Sequence, residues 1–162
     1  MRFFDFFNGT NKKDPGKEKP EPHSALPLDK ELELLAVGFL QKYAPRYPGL
    51  DFSVSSLEIL EALLQDASVF YGEMTPEQQQ KIVKGAGAYI FEVARKHTGG
   101  SYYWYQKLDQ PIFITGQPQF ETGILAFNQV RSRLQHGADY QIPGYFEGYL
   151  RSVNQGRSAI II

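Results

Sequence analysis

The stretch from Thr75 to Tyr105, TPEQQQKIVKGAGAYIFEVARKHTGGSYYWY, decides the fold, because inside it the pattern changes from helix to strand. Thr75 and Gln78 have the spacing of a capping box, and Pro76 takes the first helical position, where its missing N–H leaves nothing unpaired. The helix opened there runs to about His97 and stops at Gly99 and Gly100. At a rise of about 1.5 Å per residue it spans roughly 34 Å, the width of a small domain. The aromatic run SYYWYQ that follows suits a pleated, packed strand.

A helical wheel separates two faces of that helix. Val83, Ala86, Gly87, Ile90, Val93 and Ala94 fall on one side, and Lys81, Gly85, Ala88, Tyr89, Glu92 and Lys96 on the other. Gly87 serves close packing in the core. A glycine on a solvated helical face would cost about 1 kcal/mol relative to alanine, so Gly85 implies that another element or a partner lies close above it. The helix therefore reads as central and covered on both sides, with Glu92 at the rim of the second cover. An exposed Glu92–Lys96 pair, worth about 0.3–0.5 kcal/mol, is the plainer reading of the same residue.

Toward the N-terminus, Leu32, Leu35, Ala36, Phe39, Leu40 and Tyr43 recur at helical spacing, so a first helix is expected over 29–43, ended by Pro45. Ser55 and Glu58 suggest a capping box for a second helix with the stripe Leu57, Leu60, Leu63, Leu64 and Ala67. Toward the C-terminus, LDQP is a turn, PIFIT a second strand, GQPQ another turn and ETGILAF a third strand. Short helices are expected over 129–135 and 145–153. The apolar ending SAIII docks on its own sheet, as an extra strand, more readily than it is displayed for a receptor. The fold class is thus α+β: N-terminal helices, a three-stranded antiparallel meander and two short C-terminal helices, forming one domain over 29–162.

Ahead of that domain, residues 8–28 are rich in Lys, Glu, Pro and Gly and cannot bury enough surface to offset their ordering entropy; they read as a flexible linker. Residues 1–7, MRFFDFF, form a Phe-rich segment. Burying Phe3, Phe4, Phe6 and Phe7 would gain about 6–12 kcal/mol, while ordering seven residues costs about 7–14 kcal/mol. The segment therefore needs something to dock on: its own domain, a partner, or a membrane surface, the last being weakest without a polybasic second signal.

Composition excludes several classes. With 17 basic and 18 acidic residues the net charge is −1, which favours neither nucleic acid nor an anionic membrane. There is no cysteine, so disulfides, thiolate metal sites and a cysteine nucleophile are ruled out, and the chain suits a reducing cytoplasm. No apolar run approaches the roughly 20 residues of a membrane helix, and MRFFDFF is too short and too polar at Asp5 for a secretory signal.

Catalytic and cofactor motifs are equally sparse. GAGAYI lacks the third glycine of a dinucleotide fingerprint and follows a capped helix start instead of a strand. His23, His97 and His136 lie far apart with no metal-ligand spacing, and no cofactor is implied. Glu58 and Glu61 sit three apart on what reads as a solvated helix edge. The YYWY aromatics with Arg131, Arg133, Arg151 and Arg157 could grip a single strand, but residues 99–162 carry five basic and four acidic groups, too little charge for that role.

The remaining candidate is a protein-binding surface. Tyr89, Glu92 and Arg95 with Tyr103, Trp104 and Tyr105 would combine rigid aromatic area with charge complementarity. On a strand, Tyr102 and Trp104 point one way, Tyr103 and Tyr105 the other, so one pair is core and the other lies under a helix or is exposed. The alternative is an enzyme or small-ligand binder with a pocket between the long helix and the sheet, using Glu92 as acid or base.

Several of these residues carry a resemblance. In DFSVSSLEILEALL and GAYIFEVARKHTGGSYYWY, the chain resembles small bacterial proteins of a domain-of-unknown-function family, in which an S-L-x-x-L-D helix precedes a G-A-Y-x-G-E-V helix and a G-G-x-W strand. Ser56, Leu57, Gly87, Ala88, Tyr89, Glu92, Val93, Gly99 and Gly100 match. Phe91 replaces a small residue, and Trp104 sits further along the strand. The likeness covers about the middle third of the chain. Some members resemble immunity proteins that bind and block a toxin, or accessory proteins, which implies a cytoplasmic, non-catalytic binding role.

Overall fold

Every residue from Gly85 to Ala94 is buried, so the weak helix formers of the central helix are there because neighbours press on it from all sides. The computed structural model describes residues 25–162. The Phe-rich segment 1–7 and the linker up to residue 24 lie outside the described residues.

In chain order the elements are α1 (Leu28–Tyr43), α2 (Leu57–Phe70), α3 (Pro76–Thr98), β1 (Ser101–Tyr105), β2 (Gln110–Thr115), β3 (Thr122–Ile124), α4 (Ala126–His136), α5 (Ile142–Asn154) and β4 (Ala159–Ile161), with 3-10 turns at Tyr71–Glu73 and Ala138–Tyr140. The fold is α+β. The long helix opens as expected: Thr75 Oγ1 accepts from Gln78 N at 3.2 Å, and the Gln78 side chain accepts from Thr75 N at 3.0 Å. It ends at Gly99, whose φ of 69° lies in the left-handed region that closes helices.

Two helices clasp α3. On one side Phe39 of α1 lies over Gly85, so close that a Cβ there would be 2.8 Å from Phe39 Cδ2. On the other side Phe127 of α4 fills the notch over Gly87, with its backbone N 3.2 Å from where a Cβ would sit. The cover that Gly85 called for is thus α1 itself. Below Tyr89 lies the start of α2. That helix begins without the expected capping box: no side chain caps it, and Ser55 Oγ instead lies 3.0 Å from Ser53 Oγ. Ser56 takes the N-cap position, but its hydroxyl donates to Ser53 O at 2.6 Å and meets the Tyr89 hydroxyl at 2.5 Å. Tertiary packing against α3 has displaced the local cap.

The sheet order is β1-β2-β3-β4. β1 and β2 pair antiparallel with Tyr103 opposite Ile112, β2 and β3 antiparallel with Ile114 opposite Gly123, and β3 and β4 parallel with Gly123 opposite Ile160. The antiparallel meander is therefore extended by a fourth strand from the apolar tail. A parallel neighbour requires a crossover, and α4 and α5 supply it. The third strand is shorter than the expected 121–127: Leu125 caps α4, and Ala126 and Phe127 are helical. Phe127 has to reach the Gly87 notch, and turning into a helix directly after Ile124 places it there.

The two faces of the sheet belong to different clusters. Tyr102, Phe113, Ile124 and Ile161 point toward the helices and join the main core. Tyr105, Ile112, Ile114 and Leu125, with Tyr103 and Ile160, make a second cluster on the opposite face.

Candidate functional site

The six sequence-derived candidates do not form one surface. Tyr89 is 0% exposed. Its hydroxyl accepts from Phe52 N at 3.1 Å besides meeting Ser56, and its ring stacks on Phe52 at a centroid distance of 4.8 Å. Phe52 has φ 62°, a left-handed conformation that a bulky residue adopts only when its surroundings hold it. Tyr89 is therefore a structural pin, and its placement on a binding surface is corrected.

Glu92 is buried as well, at 2% exposure, and pairs with Arg95 instead of Lys96. Arg95 Nε donates to both carboxylate oxygens at 2.9 and 3.1 Å, and Nη2 donates to Oε2 at 2.8 Å. The Tyr102 hydroxyl points at Oε1 from 3.5 Å. This bond to Glu92 raises the Arg95 pKa above its ordinary value, and burial together with the nearby carboxylate pushes the Tyr102 phenol well above the usual tyrosine range. Lys96 lies 5.5 Å from the Phe52 ring centroid.

The strand aromatics divide by face. Trp104 Nε1 donates to Asp109 Oδ1 at 3.0 Å, whereas Tyr103 Oη donates to Gln117 Oε1 at 2.8 Å and Tyr105 is buried in the outer cluster. A cleft of about 370 Å³ does separate α3 from the sheet, but its walls include Glu31, Lys84, Trp104, Gln110 and Arg131, and Glu92 is not among them. The pocket envisaged around Glu92 is thus a cleft of different chemistry.

Glu61 also departs from its expected solvated edge. Arg133, 1% exposed, donates from Nε to Glu61 Oε1 at 2.6 Å and from Nη2 to Gln65 Oε1 at 2.6 Å, and Ile142 N donates to Glu61 Oε2 at 3.0 Å. One carboxylate therefore ties α2 to α4 and to the start of α5. This is an internal lock. Among the described residues no group of three His, Asp or Glu could hold a metal ion, and no helix is long and apolar enough to cross a membrane.

What the structure does open to solvent is an apolar groove between α1 and α3. It encloses about 460 Å³, floored by Gly38 and Gly85 and walled by Leu34, Phe39, Met74 and Ile82. A smaller hollow of about 220 Å³ shares Tyr43, Met74 and Ile82 with it and continues to Phe70. Leu34 and Phe70 are 60% and 59% exposed at the two ends. Lys42, Arg46 and Lys81 stand beside the groove and the hollow, Lys81 paired with Glu77 at 3.3 Å and Asp66 lining the smaller hollow with Arg46. The sequence signal for it was the surplus of apolar residues: Leu34 lies off the buried stripe of α1, and Phe70 off that of α2.

The fold and this surface define the class: an α+β domain with a central helix, a four-stranded mixed sheet and an open apolar groove. No family model, no curated protein and no solved structure matches this chain.

Proposed function

We propose that this chain is a non-catalytic protein-interaction module of the cytoplasm, most concretely an immunity-like or accessory protein whose partner is another protein, a toxin in the immunity version. The observation that carries this reading is the groove between α1 and α3. Large apolar side chains exposed together along a concavity are uncommon on a surface that meets only water, and they favour a partner's apolar anchors. An apolar groove between two helices can take the apolar face of a third, and Lys42 and Arg46 beside it favour one that carries acidic residues. Glu92, the residue on which an acid–base alternative rests, has both oxygens bonded to Arg95.

The test is capture of the partner from the native host, its purification, and measurement of its affinity for the wild type, Leu34→Asp, Phe70→Asp and the control Leu108→Asp, an exposed residue at the sheet end. Loss of an apolar anchor at the centre of an interface costs about 2 kcal/mol, roughly thirtyfold in Kd. Leu34→Asp and Phe70→Asp should each lose at least about tenfold, and Leu108→Asp should not. Equal affinity across all four would remove the groove from the reading. Restored growth when the chain is co-expressed with a toxic partner distinguishes the immunity version from an accessory one.

A further inference from the structure

We propose that the cleft between α1, α3, α4 and the β1–β2 turn is a small-molecule site, and that it takes a free α-amino acid with a large apolar side chain. The inference does not rest on the groove, with which the cleft shares only Leu35.

The first argument is construction. Leu32 of α1, Val83 of α3 and Phe127 of α4 give the cleft an apolar lining drawn from three separate helices. Trp104 of β1 lines it as well and, with Nε1 turned to Asp109, offers ring carbon. The volume of about 370 Å³ lies at the small end of the range of about 300–1,000 Å³ for ligand sites, which suits a molecule of amino-acid size.

The second argument is one polar atom. Gln110 is 5% exposed, and its Oε1 accepts from Asn128 N at 3.0 Å, satisfying one of the N–H groups left open at the start of α4. That bond fixes which way the amide faces, since only the carbonyl oxygen can accept from an N–H. Nε2 is left with no hydrogen-bond partner among the described residues. Among those residues no side-chain nitrogen or oxygen without a partner is fully buried, so Nε2 keeps a surface open to solvent. Gln110 lines the cleft, and there that surface opens. A donor without a partner on a residue this buried is held in place for an acceptor that enters the cleft.

The third argument is charge. Lys84 and Arg131 bring two cations to the walls, and Glu31 and Asp109 two carboxylates. The side chains of Lys84, Arg131 and Glu31 form no ion pair or hydrogen bond with another described residue. The cleft is thus neutral in sum and carries unpaired charges of both signs. A simple anion or a simple cation would match one sign and meet the other as repulsion. An amino acid carries both charges on one carbon and leaves its side chain for the apolar lining. Its carboxylate would take Gln110 Nε2 with Arg131 and Lys84, and its ammonium would take Glu31.

The experiment uses Trp104, the single tryptophan of the chain, as reporter. The full chain is titrated with L-leucine and with L-phenylalanine while indole emission and the methyl resonances of Leu32 and Val83 are followed. Both amino acids should give saturable changes. Phenylpropanoate and phenylethylamine, which each keep one of the two charges, should bind at least about tenfold more weakly than phenylalanine. Gln110→Glu keeps the acceptor for Asn128 N and puts an oxygen where Nε2 stood, and Arg131→Gln is a surface substitution. Each should weaken phenylalanine binding at least about tenfold, whereas Arg151→Gln, outside the cleft, should not. Absence of a saturable change with either amino acid overturns the proposal. So does equal binding of a singly charged analogue, and so does unchanged affinity in Gln110→Glu or in Arg131→Gln.

Discussion

Arg95 grips the Glu92 carboxylate from one helical turn away, with Nε and Nη2 reaching both oxygens at 2.8–3.1 Å. The carboxylate side chain is 3% exposed and the guanidinium 42%, so the acid is buried and its partner bridges it to solvent. Arg95→Ala leaves a buried charge facing only the Tyr102 hydroxyl, at a cost of about 1–3 kcal/mol once water entering the vacated space is allowed for. Removing both charges, as Glu92→Leu with Arg95→Leu, should cost less than Arg95→Ala alone. Urea denaturation of the three proteins checks the order. An Arg95→Ala variant as stable as wild type would mean the pair contributes nothing.

Three glycines in helices are predicted to respond to alanine in opposite senses. At Gly85 the added methyl meets the buried Phe39 ring, and at Gly87 it meets Phe127 and its backbone N, so overpacking should destabilise each by about 1–3 kcal/mol. At Gly148, inside α5, nothing lies within 4 Å of the new Cβ. Gly148→Ala should therefore stabilise, by about 0.5–1 kcal/mol, through helix propensity alone. Thermal melts of the three variants decide this, and a destabilised Gly148→Ala would contradict the packing described.

Those glycines also show how much of the fold was legible. Gly85 and Gly87 announced a central helix covered on two sides because a missing side chain in a helix has a local cost that only a neighbour explains. The Thr75–Gln78 box formed as read, since it stands at an exposed helix start where nothing competes for Thr75. The Ser55–Glu58 box did not, because Tyr89, far away in sequence, recruits the neighbouring Ser56. Long-range partners also defeated the reading of Glu61, whose match with Arg133 spans 72 positions. The candidate surface failed for a related reason. Tyr89 and Glu92 were placed at the rim of the second cover, whereas Phe39 of α1, Ser56 at the start of α2 and Tyr102 of β1 close over that side and bury both. The groove was not legible because Leu34 and Phe70 lie outside the helical stripes that periodicity marks, and only the tertiary placement of α1, α2 and α3 brings them to the ends of one concavity.

Alkaline pH should unfold the protein steeply. Burial raises the phenol pKa values of Tyr102, Tyr145 and Tyr149, with the Glu92 charge adding to the effect at Tyr102; hydrogen bonds from Leu125 N at Tyr145 and with Thr115 and Thr98 at Tyr149 oppose it. In the unfolded chain such phenols ionise near pH 10. Below that value both states hold the three protons and stability is insensitive to them. Above it the unfolded state has released protons the folded state still holds, so stability falls by about 4 kcal/mol per pH unit for three groups. Phenolate absorbance and circular dichroism, followed together, should show these tyrosines ionising only as the fold is lost. Gradual ionisation of all 10 tyrosines with the dichroism intact would refute it.

The Arg133–Glu61 pair should behave as a lock among three helices. Arg133 is almost wholly buried and reaches Glu61 and Gln65 at 2.6 Å each, while the other Glu61 oxygen receives the first backbone N–H of α5. Glu61→Ala strands a buried guanidinium and frees the start of α5, so it should cost about 3–5 kcal/mol. Glu61→Gln keeps a carbonyl oxygen for only one of the two donors and turns an NH2 toward the other, so it should recover only part of that cost. Arg133→Met removes the buried cation, leaving Glu61, with 18% of its side chain exposed, to bond Ile142 N and water. Its cost should therefore fall below that of Glu61→Ala. A double-mutant cycle between the two positions measures the coupling, and hydrogen exchange at the α5 amides separates the lock from simple packing. Exchange in α5 should accelerate in Glu61→Ala more than in Arg133→Met, because only the first substitution takes away the cap on Ile142.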